Sequence, residues 1–179
     1  MHSNGLRVVI VNGKPGVGKT TFENYCKEIL GIAYYNERST IDKVKEIAHY
    51  CYWDGQKDLK SRKFLSDLKQ LLTEYNDLPS KDVKMCLERW EEELQMYGVS
   101  DRPHIFFIDD REPEHIHKLR KELNAITLLI RRPGDGDMET SNDSDRYVFN
   151  YEYDYTILNE GDLNELKKDA ERFINWIFS

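Results

Sequence analysis

Two spacings of apolar positions divide the 179-residue chain. RVVIVN (7–12), HIFFID (104–109) and AITLLIR (125–131) are near-continuous apolar runs. Such runs belong to strands covered on both faces, as in a parallel sheet, whereas half-exposed strands alternate. IAYYN (32–36) and YDYTILN (153–159) are two further strand candidates. Between the runs, apolar residues recur at helical spacing. Phe22, Cys26, Ile29 and Leu30 share one face, and Phe64, Leu65, Leu68, Leu71 and Leu72 another. Val83, Cys86, Leu87, Trp90 and Leu94 form a third stripe, and Leu163, Leu166, Ala170, Phe173, Ile174 and Ile177 a fourth. Strands alternating with helices predict a single α/β domain over 1–179, with a five-stranded parallel sheet between two helical layers. The helical stretch from about 40 to 97 is too long for one crossover. It predicts a helical insert over about 38–98, standing over the C-terminal edge of the sheet, where such folds bind ligands. A Gly/Asp/Ser/Asn-rich segment, RRPGDGDMETSNDSD (131–145), interrupts the pattern and marks a lid over about 132–148.

The first strand runs into GKPGVGKTT (13–21), and Gly13-x-x-x-x-Gly18-Lys19-Thr20 is a complete P-loop pattern in its strand–loop–helix setting. Gly13, Gly16 and Gly18, with Val17 and Thr21, would present backbone N–H groups to phosphate oxygens, and Pro15 would stiffen the same loop against the nucleotide. Lys19 would place a point charge on the β- and γ-phosphates, and the Thr20 hydroxyl would ligate Mg²⁺. The following helix adds the positive end of its dipole. ATP and Mg²⁺ are therefore the expected cofactors. A base-reading NKxD segment, expected of a GTPase, is absent. A short chain with a helical insert and a polar loop suggests a small kinase.

The third apolar run ends in HIFFIDDREPEH (104–115). Asp109 is placed to complete the Mg²⁺ shell opposite Thr20, and Arg111 to grip an anionic acceptor bidentately. Both therefore join Lys19 as candidate catalytic residues. The basic residues of 38–69 offer further acceptor contacts, chiefly Lys43, Lys57 and Arg62, while Lys60 and Lys69 read as solvated helix positions. His115 and His117 lie two apart and suggest no metal site.

Asp109-x-Arg111-x-Pro113 resembles the DxRxPxE pattern of phage-type deoxynucleoside monophosphate kinases and the Asp-x-Arg of animal-type phosphomevalonate kinases. Three further stretches are similar: 39–68 to the acceptor-binding region, 131–145 to the lid, and DYTILNEGDLNELKKD (154–169) to the last strand and Asn-x-Gly turn beside the adenine. The resemblance implies a P-loop kinase fold and transfer of the ATP γ-phosphoryl group to a (deoxy)nucleoside monophosphate. It implies that Arg62 holds the acceptor phosphate, that Arg132 or Arg131 acts on the transferring group, and that Asn159 and Gly161 flank the adenine. The chain departs from the pattern at His115, where the family has Glu, and in the acidity of the lid. Two alternatives stay open: a kinase for a phosphorylated metabolite such as phosphomevalonate, and a non-catalytic ATP-binding regulatory module.

Charge narrows the partners. A net charge of −7 disfavours duplex nucleic acid, which needs a basic face. No segment has the length and apolarity of a membrane span. Three unpaired-looking cysteines (Cys26, Cys51 and Cys86) fit a reduced, cytoplasmic protein, a monomer or homodimer acting in nucleotide metabolism on a small phosphorylated acceptor.

Overall fold

The computed structural model describes residues 5–135 and 148–179. Most of the lid segment, including Asp137, Glu139, Asp143, Asp145 and Arg146, lies outside the described residues.

Strand β1 (Leu6–Asn12) leads through the glycine-rich loop into α1 (Lys19–Leu30). A short 3₁₀ turn (Ile32–Tyr34) precedes β2 (Tyr35–Ser39), followed by α2 (Asp42–Tyr50), α3 (Leu59–Asn76) and α4 (Leu78–Met96). Strand β3 (His104–Asp109), α5 (Pro113–Leu123), β4 (Ile126–Arg131), β5 (Tyr155–Leu158) and α6 (Leu163–Phe178) complete the described elements. The five strands are all parallel, in the order β2-β3-β1-β4-β5.

Both faces of this sheet are buried, which is why its central strands read as continuous apolar runs. On one face Val9, Val11, Phe107, Leu128 and Ile130 pack under Phe22 and Cys26 of α1 and Leu166, Ala170 and Phe173 of α6. On the other, Val8, Ile10, Phe106 and Ile108 meet Val83, Leu87 and Trp90 of α4 and Ile116 and Leu119 of α5. The architecture is the expected three-layer α/β/α arrangement, with a five-stranded parallel sheet between two helical layers.

The structure adds detail to the sequence reading in three places. The second strand starts at Tyr35, because Gly31 (φ 91°) ends α1 and Ile32–Tyr34 coil into the 3₁₀ turn. As an edge strand it pairs only with β3 and buries only Tyr35, so YNERS needs no apolar run. Within the predicted insert, α4 covers the sheet as an ordinary crossover helix, and α2 and α3 precede it and pack against it and each other. The α3 stripe is only partly covered: none of its residues is fully buried, and Leu71 is 63% exposed.

Candidate active site

Parallel pairing brings the C-terminal ends of β1 and β3 side by side, with Val11 opposite Asp109. The P-loop leaves β1 at this edge and returns as α1. Gly18 sits at φ 104°, and a Cβ there would lie 2.6 Å from Asn159 Nδ2; a Cβ on Gly13 would lie 2.3 Å from the Ile130 carbonyl oxygen. Glycine at these two positions thus follows from close backbone packing as well as from loop curvature. The Gly13 N–H donates to Asn12 Oδ1 (2.7 Å), fixing the loop's first turn. Lys19 Nζ donates back to the carbonyls of Gly13 (2.6 Å) and Lys14 (3.1 Å), so its ammonium lies across the mouth of the loop. Pro15, Gly16 and Thr20 are exposed at the loop surface, and Val17 is buried beneath it.

Asn159 supports this loop from behind. Its amide donates to the Val17 carbonyl (2.8 Å), and its own N–H donates to Arg131 O (2.8 Å). A cavity of about 280 Å³ opens beside it, lined by Gly18, Thr21, Arg132, Asn159, Gly161 and Leu166 among others. Sequence positions 18, 132, 159 and 161, expected around the donor nucleotide, therefore converge on one hollow. Arg131 turns away from it: its guanidinium donates to buried Asp135 (3.0 Å) and stacks 4.2 Å from the Phe149 ring centre. Asp135 also accepts from the Arg132 N–H (3.1 Å), tying both arginines to the start of the lid.

The two carboxylates ending β3 face opposite layers. Asp109 lies on the α1 side, where burial raises its carboxyl pKa against the lowering effect of Lys19 and Arg111. Asp110 is fully buried on the α5 side and accepts the N–H groups of Arg111 (2.7 Å) and Glu112 (3.2 Å). Around it gather Lys69 (3.8 Å) and His115 (3.3 Å). Lys69 also reaches Glu112 (2.8 Å), and His115 lies 3.9 Å from Asp77. Burial works to raise the Asp110 pKa, but His115, Lys69 and the turn N–H groups hold it below the ordinary carboxylate value. Lys69 is thus no solvated helix position; its side chain is 13% exposed. Its place on the Leu65-Leu68-Leu72 face of α3 was the available signal.

The remaining acceptor-side candidates are spread out. Lys43 pairs with Glu46 on its own helix (2.8 Å), Lys57 is exposed in the α2–α3 link, and Arg62 is exposed near the start of α3. Arg38 is held by Asp82 (2.6 Å) and Glu46 (2.8 Å).

Glu23 escaped the sequence reading. It lies one turn beyond Lys19 on α1 and is 4% exposed. Its Oε1 has no hydrogen-bond partner. Burial, aided by the negative charges of Asp109 and Glu37, pushes its pKa up to about 8, with Lys19 acting the other way. An acid at the 19-22-23-26 spacing, on the buried face of the P-loop helix, is the pattern that could have flagged it.

No protein-family model matches the chain, and no curated protein matches it. Among solved structures, the chain is similar to shikimate kinase from Aquifex aeolicus (11% identity, 95% of this chain and 97% of that one, TM-score 0.47). It is likewise similar to thymidylate kinase from Ehrlichia chaffeensis (14%, 96% and 99%, 0.47) and a sugar kinase from Janibacter sp. (15%, 96% and 94%, 0.45). At these identities and TM-scores the likeness stops short of substrate and chemistry.

Proposed function

We propose that the protein is an ATP-dependent phosphotransferase whose acceptor is a (deoxy)nucleoside monophosphate. The observation that carries this reading is the P-loop itself. Its Lys19 ammonium lies across the loop mouth, and Asp109 stands on the neighbouring strand within its field. The donor set fits Mg²⁺, a hard cation that takes oxygen ligands: the Thr20 hydroxyl, the Asp109 carboxylate and a buried, unpartnered oxygen on Glu23. When bound, the ion would neutralise charge on the β- and γ-phosphates.

The loop N–H groups and the α1 N-terminus hold the polyphosphate, and Lys19 draws charge from its β- and γ-oxygens. Adenine occupies the hollow beside Asn159 and Gly161. An acceptor phosphate oxygen attacks the γ-phosphorus in line, forming the new P–O bond as the bond to the ADP oxygen breaks. Because the acceptor is already anionic, no strong base is required, and rate comes from positioning and charge neutralisation. Arg111 is assigned to the acceptor, together with Lys43 of α2, Arg62 of α3 and Lys57 from the link between those helices. Arg132 is assigned to the transferring group, with Arg131 held back by Asp135. Closure of the 132–148 lid would exclude water from the reaction.

ADP release with ATP·Mg²⁺ over a panel of ribo- and deoxynucleoside monophosphates plus phosphomevalonate tests the reading. Turnover dependent on a nucleoside monophosphate, reduced by about 10²-fold or more in Lys19→Ala, is expected. Turnover with phosphomevalonate alone would reassign the acceptor. ATP binding that no acceptor converts to turnover would favour a regulatory module.

A further inference from the structure

The inner face of α1 holds a buried carboxyl group with one oxygen, Glu23 Oε1, that the fold leaves without a hydrogen-bond donor. Glu23 is set among Phe22, Cys26 and the sheet, and its Oε1 is sealed from solvent without a donor. A glutamate kept only for packing would be expected to find a backbone or side-chain donor, since a buried oxygen without one keeps its full desolvation penalty. The charged groups acting on it come from every element around it: Lys19 from α1, Glu37 from β2 and Asp109 from β3. Lys19, with Arg111 acting on Asp109, thus faces three carboxyl groups. A polyphosphate entering the loop adds further negative charge and draws on the same Lys19. The missing component is positive charge between the phosphates and the carboxylates, and the oxygen-only chemistry suits a hard divalent cation. Among the described residues, no group of three or more His, Cys, Asp or Glu side chains is arranged to hold a metal alone. A cation there would need the oxygens of a bound nucleotide to complete its shell.

We propose that Glu23 is a second carboxylate of the divalent-cation site, acting with Asp109 and Thr20 to hold the metal of the bound nucleotide. The proposal rests on the phosphotransferase reading, which already places a cation at Thr20 and Asp109, and it adds the residue that makes the ion tightly held.

Mn²⁺ binding followed by electron paramagnetic resonance, with ADP present, tests it without reference to turnover. Glu23→Gln keeps the shape and removes the charge. It is expected to weaken Mn²⁺ binding to the ADP complex by about 10- to 100-fold, the usual effect of losing a metal-supporting group. ADP affinity without metal should stay at the wild-type level. Glu28→Gln, on the exposed side of the same helix, should match wild type in both. Unchanged Mn²⁺ affinity in a folded Glu23→Gln protein overturns the proposal and leaves the phosphotransferase reading standing. Failure of the wild-type protein to bind Mn²⁺ with ADP or ATP overturns both. Should Glu23→Gln not fold, wild-type protein carrying ¹³C at its glutamate carboxyls decides. A ¹³C hyperfine coupling to Mn²⁺ in the ADP complex supports the assignment, and its absence overturns it.

Discussion

Glu23 is the residue through which the surroundings of the phosphate loop respond to pH. Its carboxyl titrates at about 8 in the folded chain against an ordinary value of 4.5. Between those values the unfolded chain has released a proton that the folded chain keeps, so stability falls as pH rises and levels off above about 8. Denaturant unfolding of the nucleotide-free protein from pH 5 to 9 should show this decline, on the order of a few kcal/mol at most. In Glu23→Gln the slope should be reduced and alkaline stability higher. Gly18 sets a steric limit at the same scale. Gly18→Ala must hold a Cβ at φ 104° and push Asn159 off the Val17 carbonyl. A loss of about 1–3 kcal/mol in thermal or denaturant unfolding is expected, with weakened ATP binding by calorimetry.

The helical elements are joined around Asp110. Lys69 reaches it from α3, His115 from α5, and Asp77 closes the group from the α3–α4 junction through His115 and Lys118. The adjoining Asp110 carboxylate raises the His115 pKa above its ordinary value despite burial. Protonated His115 therefore adds stability that is full below the unfolded pKa near 6.5 and is lost as pH rises through the higher folded value. His115→Gln should show a shallower decline of unfolding free energy across neutral pH than wild type. Combined with Glu23→Gln it should flatten the profile further, because the two groups lie in different layers and their effects add. The sequence signalled His115 only as a departure from the resembling pattern. Its role depends on where α3 ends, which no local spacing encodes.

For the whole molecule, the sheet and its two covering layers dominate stability, while α3 contributes mainly position. Trp90 is 7% exposed on α4 and stacks against Phe106 and His104, whereas Leu71 is 63% exposed on α3. Trp90→Ala should cost about 3–5 kcal/mol in denaturant unfolding, and Leu71→Ala no more than about 0.5. Reversal of that order would mean that the α3 face is covered in solution.

Strands β1, β3 and β4, the P-loop, Asp109 and the buried stripes of α4 and α6 were readable from the chain, because each rests on local spacing: apolar runs, fixed glycine offsets, a 3.6-residue period. The start of β2 and the half-exposed α3 were not. An edge strand pairs on one side only and needs no apolar signature, and an apolar stripe does not say how completely it will be covered. Which side of β3 each of Asp109 and Asp110 faces follows from strand alternation, but what waits there does not. Glu23 meeting Asp109, Lys69 meeting Asp110 and Asn159 bracing Val17 join residues from separate elements. Local pattern in the sequence determined that the chain offers a phosphate loop on a parallel sheet. Only the tertiary structure decided that a carboxyl oxygen of Glu23 is left without a donor beside it, because burial and partnership are properties of the packed layers and not of the chain.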